Sequence, residues 1–298
     1  MKSCLSIIVA VVCHPIARIM RTAYIPYCSD YLGLGNRIKG LANYYARGYR
    51  RYVILWNTKC WVTETWQKLF ELKDCKMHVL YPEDSWYGRI HFFLRRFLPL
   101  GIVRPETPFW SFILPHELRT QSCRFKWPFA EKWSYSVDWW FDRTPLEVRE
   151  YFREFFSALQ PSQEVLKRVA TLKLPMGVIG VQIRNSNTSK DCKDVSSLES
   201  IFKAMDEADS DRVFFVSCMT AEVSRAVKHR LGRRILELPD KRYTSMVDAV
   251  ADMWLLGQCA EMIASPSSTF SEVAWWWGGA KIPVVMLESE YNQRSMPK

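Results

Sequence analysis

Three clusters in the C-terminal half carry groups suited to holding an anion. Arg184 directly follows an apolar run, residues 177–183 (GVIGVQI), that ends in Gln182 and Ile183. A guanidinium stays charged at any working pH, and its forked donors match the oxygens of a phosphate. At a strand end it reads either as that phosphate ligand or as a surface arginine in a loop. Ser265, Ser267, Ser268, Thr269 and Ser271 crowd the start of the apolar run EVAWWW, with Phe270 among them. A helix start presents backbone N–H groups and the positive end of the helix dipole, so hydroxyls gathered there make an anion site. Plain N-capping by one serine is the alternative, and it explains one hydroxyl only. Asp248 and Asp252 are four residues apart, hence on one face of a helix. A carboxylate there can accept two hydrogens from a guanine edge. A solvated helix face is the other reading, and it suits Asp248 better than Asp252.

The N-terminal half offers less. Gly33-Leu34-Gly35-Asn36-Arg37 reads as a strand-to-helix turn with close backbone approach, yet it lacks the third glycine of a dinucleotide fingerprint. Asp209-Ser210-Asp211 matches a metal-holding D-x-D in composition, but it precedes a strand and reads as a turn.

These groups need a scaffold. After Met176, the apolar runs 177–183, 212–218, 261–264 and 283–287 read as strands buried on both faces. Helical patterns over 198–205, 221–231 and 245–259 separate them, which predicts a doubly wound parallel sheet. In such sheets ligands bind beyond the carboxyl ends of the strands, where the clusters above fall. Upstream, a strand over 23–28, the glycine turn, a helix and a strand over 52–56 make one βαβ unit. In that helix Ile38, Leu41, Tyr44 and Tyr45 share a face, with Arg37, Lys39 and Arg47 on the exposed side. Residues 81–142 are rich in Trp, Phe, Tyr and Pro without periodicity, and read as an irregular insertion. Thr144-Pro145-Leu146-Glu147 then starts a helix running to Ala158, and Ser162 caps another that ends before Pro175. The expected plan is α/β with two Rossmann-like halves: a leader over 1–20, a first domain over 21–165 and a second over 166–298.

The formal charge of +10 and a pI near 9.1 favour acidic partners. There is no zinc-finger spacing, RNP-like motif or Lys/Arg block, so phosphorylated small molecules fit better than nucleic acid. Nine cysteines without a C-x-x-C pair read as reduced, mostly buried thiols. Five histidines form no ligand pattern, and no metal is expected. The N-terminal apolar run is about ten residues, short of the roughly 20 a membrane span needs. It reads as a short interfacial anchor with weak membrane association, a dispensable leader or a packed element. The first would place the chain at a membrane or in the secretory lumen, the others in the cytoplasm.

With these residues in hand, the chain resembles the fucosyltransferase superfamily of α-1,6-, nodulation-factor and protein O-fucosyltransferases. Four pieces match in order: Gly33-Leu34-Gly35-Asn36-Arg37 (the G-L-G-N-R motif), Leu159-Gln160-Pro161 (the L-x-P linker), the strand ending Gln182-Ile183-Arg184 (the H-x-R-R segment) and residues 252–271, DMWLLGQCAEMIASPSSTFS (the donor-binding motif). The resemblance implies a GT-B fold, inversion without a metal, no cofactor, GDP-fucose as donor and a glycan hydroxyl as acceptor. It assigns Arg184 to the β-phosphate and departing GDP, and Ser267, Ser268, Thr269 and Phe270 to the diphosphate. Asp252 would read guanine, Gln182 would take the place of the family's histidine, and Gly35, Asn36 and Arg37 would line the cleft.

Three departures accompany this match. Gln182 replaces the family's His, Asn185 its second Arg and Asn187 its Asp. Losing that arginine removes positive charge from the leaving-group side, worth several kcal/mol if it meets developing charge. Either Arg37 or Lys190 supplies the charge, or the donor differs, or the chain binds a sugar nucleotide without turning it over.

Overall fold

The computed structural model describes residues 22–25, 33–46, 50–59, 62–81, 86, 146–184, 197–265 and 268–287. The leader, almost all of the aromatic insertion, and Asn185, Asn187, Lys190 and Ser267 lie outside them. The chain divides into two compact units between Gln160 and Pro161.

The first unit runs β1 (Thr22–Ile25), α1 (Leu34–Ala46), β2 (Arg51–Leu55), α2 (Trp66–Leu69), β3 (Phe70–Leu72), β4 (Lys76–Leu80) and α3 (Leu146–Ala158). Its parallel sheet has the order β1-β2-β4. Ile38, Leu41, Ala42 and Tyr45 of α1 are buried, as are Phe152, Phe155 and Phe156 of α3. The two helices pack together, with the Tyr45 and Phe155 rings edge to face at 5.5 Å. β4 carries no continuous apolar run because it borders this sheet and buries little besides Leu80.

Two expectations fail in α1. The helix begins at Leu34, so Gly35, Asn36 and Arg37 belong to its first turn rather than to a preceding loop. A Cβ placed on Gly33 would meet nothing within 4 Å, so close backbone approach does not require glycine there. Arg37 and Lys39 are each only 1% exposed, although periodicity put them on the solvent side. Long side chains cover apolar surface with their stems while their heads find polar partners, which a hydrophobic pattern does not register.

β5 (Leu159–Pro161) pairs with β3 in a two-stranded ladder. The second unit continues α4 (Gln163–Val169), β6 (Ile179–Ile183), α5 (Leu198–Asp206), β7 (Phe214–Cys218), α6 (Ala221–Leu231), β8 (Ile235–Leu236), α7 (Met246–Leu256), β9 (Glu261–Ala264), α8 (Thr269–Trp277) and β10 (Val284–Met286). The sheet is parallel throughout, ordered β10-β9-β6-β7-β8. Chain order thus runs outward from β6 through β7 to β8, then returns to the other side of β6 for β9 and β10. That reversal makes β6/β9 the topological switch point.

β6 and β7 are buried at every residue, as their apolar runs predict. Ile179, Val181, Ile183, Phe214 and Val216 share a core with Ile201 and Met205 of α5 and Val223 and Val227 of α6. The opposite face meets α7 so closely that a Cβ on Gly180 would lie 2.9 Å from Leu256 Cδ2. Ser162, Ser197, Thr220 and Ser245 cap α4, α5, α6 and α7, each hydroxyl accepting from a backbone N–H three residues on. Each such cap stabilises by about 1 kcal/mol. Among the described residues, no helix is long and apolar enough to cross a membrane.

Candidate functional site

The switch point gathers most of the polar groups singled out above. Arg184 follows β6 and is half-buried; Ser265 follows β9, the neighbouring parallel strand. Both therefore leave the same edge of the sheet by adjacent strands. Gln182 links them: its backbone carbonyl accepts from Ser265 Oγ at 3.2 Å, and its Oε1 accepts from Ser271 Oγ at 2.9 Å. Gln182, Ser265 and Ser271 are all buried. Two of the clustered hydroxyls thus fasten the α8 start to β6.

Ser268 differs. It occupies the N-cap position of α8 with no side-chain cap bond, is 0% exposed, and its Oγ has no hydrogen-bond partner among the described residues. The first backbone N–H of α8 answered within the helix is that of Glu272, which bonds the Ser268 carbonyl at 3.2 Å. N–H groups ahead of it have no acceptor inside the helix. Thr269 is buried and Phe270 half-buried. A buried hydroxyl beside the free N–H groups of a helix start can donate to an oxyanion.

The two aspartates of α7 take different partners. Asp248 is 1% exposed and not on a solvated face. Its Oδ1 accepts from Arg168 Nε at 2.6 Å and its Oδ2 from the Arg242 backbone N–H at 2.7 Å. Burial is possible because an arginine 80 residues earlier pairs with it, which local spacing does not reveal. Asp252 is equally buried. Its Oδ2 accepts from Ser217 Oγ at 2.8 Å and from Lys241 Nζ at 2.6 Å, while Oδ1 has no partner among the described residues. Lys241 also donates to the Cys218 carbonyl at 3.1 Å. Burial pushes the Asp252 carboxyl up to about 6 against the opposing pull of Lys241 and Ser217, and Asp252 holds the Lys241 ammonium above its ordinary range despite burial. At neutral pH both are charged.

Ser217 pairs in register with Gln182 across β6 and β7, so the Asp252 cluster adjoins the α8 cluster along one strand edge. Ser217 and Lys241 carry no signal in the sequence. One lies within an apolar strand, the other in the polar loop Pro239-Asp240-Lys241-Arg242. Burial raises the Cys218 thiol to about 12, so it is no nucleophile. Asp209-Ser210-Asp211 forms a turn ahead of β7, at the opposite end of the strand.

In the first unit Arg37 donates to the Asn57 backbone carbonyl at 2.9 Å, and its guanidinium lies 4.8 Å from the Trp56 ring centroid. Gly35 is buried beside it in the first turn of α1, which also contains Asn36. Among the described residues, no three His, Cys, Asp or Glu stand together as metal ligands.

No family model matches the sequence, and no curated protein matches it. Solved structures do match the fold. An arginine-to-lysine mutant of Arabidopsis thaliana FUT1, in complex with GDP, superposes with a TM-score of 0.52 at 16% identity, covering 93% of this chain and 72% of that one. The POFUT1 apo-form gives 0.51 at 10% identity, covering 89% and 97%. NodZ α-1,6-fucosyltransferase soaked with GDP-fucose gives 0.49 at 18% identity, covering 89% and 93%. The chain has the fold of solved fucosyltransferases.

Proposed function

We propose that this chain is a glycosyltransferase that moves fucose from GDP-fucose to a glycan hydroxyl. The observation that carries the reading is the switch point of the second unit, where Arg184 and the α8 start leave adjacent strands at one edge. A fold shared with a fucosyltransferase solved with GDP supports it. In this reading the second domain, residues 166–298, holds the donor, and residues 21–165 present the acceptor. Arg184 binds the β-phosphate and meets the charge that develops on departing GDP. The N–H groups and hydroxyls of Ser267, Ser268, Thr269 and Phe270 hold the diphosphate. Gln182 holds the α8 start in place, and Asp252 contacts the base.

The acceptor oxygen bonds to the anomeric carbon as the bond from that carbon to the β-phosphate oxygen breaks, in one inverting step without a metal, and the hydroxyl proton passes to solvent. Holding donor and acceptor together supplies much of the rate, and fixed positive charge at the leaving group supplies more.

A thermal-shift panel of nucleoside diphosphates and their sugars tests the donor, with GDP and GDP-fucose expected to stabilise the protein most. GDP-fucose transfer or hydrolysis is then compared between wild type and Arg184→Ala. Unchanged turnover in the variant would remove Arg184 from the mechanism. GDP binding with no turnover of any sugar nucleotide would identify a non-catalytic binder, the reading that Asn185 in place of an arginine favours.

A further inference from the structure

A carboxylate has about four acceptor positions, two on each oxygen. In Asp252 the two on Oδ2 are taken by Ser217 Oγ at 2.8 Å and Lys241 Nζ at 2.6 Å. Oδ1 is buried and has no partner among the described residues. The side chains of Lys241 and Asp252 are only 5% and 2% exposed, so the pairing is not a surface contact that a ligand brushes aside. Lys241 is held a second time by the Cys218 carbonyl. The group lies at the carboxyl end of β7, one strand from the switch point.

Guanine presents two adjacent donors, N1–H and the 2-amino group, and a carboxylate reads both only when each oxygen can accept one. We infer that Lys241 occupies half of the Asp252 carboxylate and makes this chain a reader of a single ring N–H, so that it does not require the 2-amino group of guanine. This rests on the reading of the sheet edge as a sugar-nucleotide site and deepens it. Hypoxanthine keeps N1–H and lacks the 2-amino group, so inosine diphosphate is the discriminating ligand. A charge-assisted hydrogen bond to the second oxygen would be worth roughly tenfold or more in affinity, and here that bond is not made.

Calorimetric titration at pH 8 of the full chain with GDP, inosine diphosphate and UDP tests this. Wild type is expected to bind GDP and inosine diphosphate within about threefold of one another, since both present N1–H. In Lys241→Ala the vacated space admits water, Oδ2 can accept from the ligand, and the preference for GDP is expected to rise to about tenfold. A tenfold preference for GDP in wild type overturns the inference, whether or not the variant folds. So does a Lys241→Ala protein whose GDP preference does not change. If none of the three diphosphates binds, the sugar-nucleotide reading itself fails and takes the inference with it.

Discussion

The two units follow one plan, parallel strands with helices over them, and they treat the first helix turn beyond a strand very differently. In the first unit that turn holds Arg37, which is buried, bonded to the Asn57 carbonyl and stacked near Trp56. In the second, the corresponding turn after β9 holds Ser268, which is buried with its hydroxyl unanswered. Arg37 is fixed by partners within its own unit; the Ser268 hydroxyl has none among the described residues. Buried polar groups are normally satisfied, and an exception calls for an explanation, of which a bound ligand is one. On the proposed reading, the contrast gives Arg37 a part in stability and the α8 start a part in ligand binding.

Substitutions can break that contrast, and Arg184 gives the largest expected effect. Arg184→Ala should lower GDP-fucose turnover by about 100-fold or more, on the scale of lost transition-state charge stabilisation, with the melting temperature nearly unchanged. Arg37→Ala should do the reverse. Losing the buried bond and the ring contact should lower the unfolding free energy by about 2–3 kcal/mol in chemical denaturation. A stable Arg37→Ala protein without activity would invert the assignment.

Asp252 extends the contrast to pH. Its carboxyl rises from an ordinary 3.8 to about 6 in the fold. The folded state therefore binds the proton more tightly than the unfolded chain, and its charging costs stability as pH rises between those values. Relative to Asp252→Asn, wild type should lose about 2 kcal/mol between pH 4 and pH 6, a few tenths more by pH 7, and then hold level through pH 8. A flat difference across that range would mean the carboxylate is as well solvated as in water. Ser268→Ala should weaken GDP binding about fivefold, one hydrogen bond's worth, without lowering the melting temperature, since no cap bond is lost. The smallest effect belongs to Glu154→Gln, where an exposed pair with Arg50 at 3.1 Å is cut. Below about 1 kcal/mol is expected there by denaturant titration.

The second unit was the more legible in sequence because a strand buried on both faces is an unbroken apolar run. GVIGVQI and RVFFVSC announce β6 and β7 without help from the rest of the chain. The helix ends were readable too, since Ser162 and the Ser245 start use their own hydroxyls. Pairings made through space were not. Asp248 looks solvated until Arg168 arrives from α4, and Lys241 looks like loop until Asp252 receives it. Arg37 was misread for the same reason: its partners, Trp56 and the Asn57 carbonyl, lie beyond the next strand. Periodicity reports which face is apolar, and long charged side chains can cross that face unseen.

The tryptophans at the far end of α8 bear on how a ligand is received at its near end. Trp275, Trp276 and Trp277 are all buried, and Trp275 donates from its indole to the Ile282 carbonyl at 3.1 Å. Three large rings wedged into the interior leave the helix little freedom to slide or tilt. On the proposed reading its opening amides are aimed before an anion arrives, and association sacrifices little motion of the host. Bare pyrophosphate, with neither base nor sugar, should therefore retain measurable affinity.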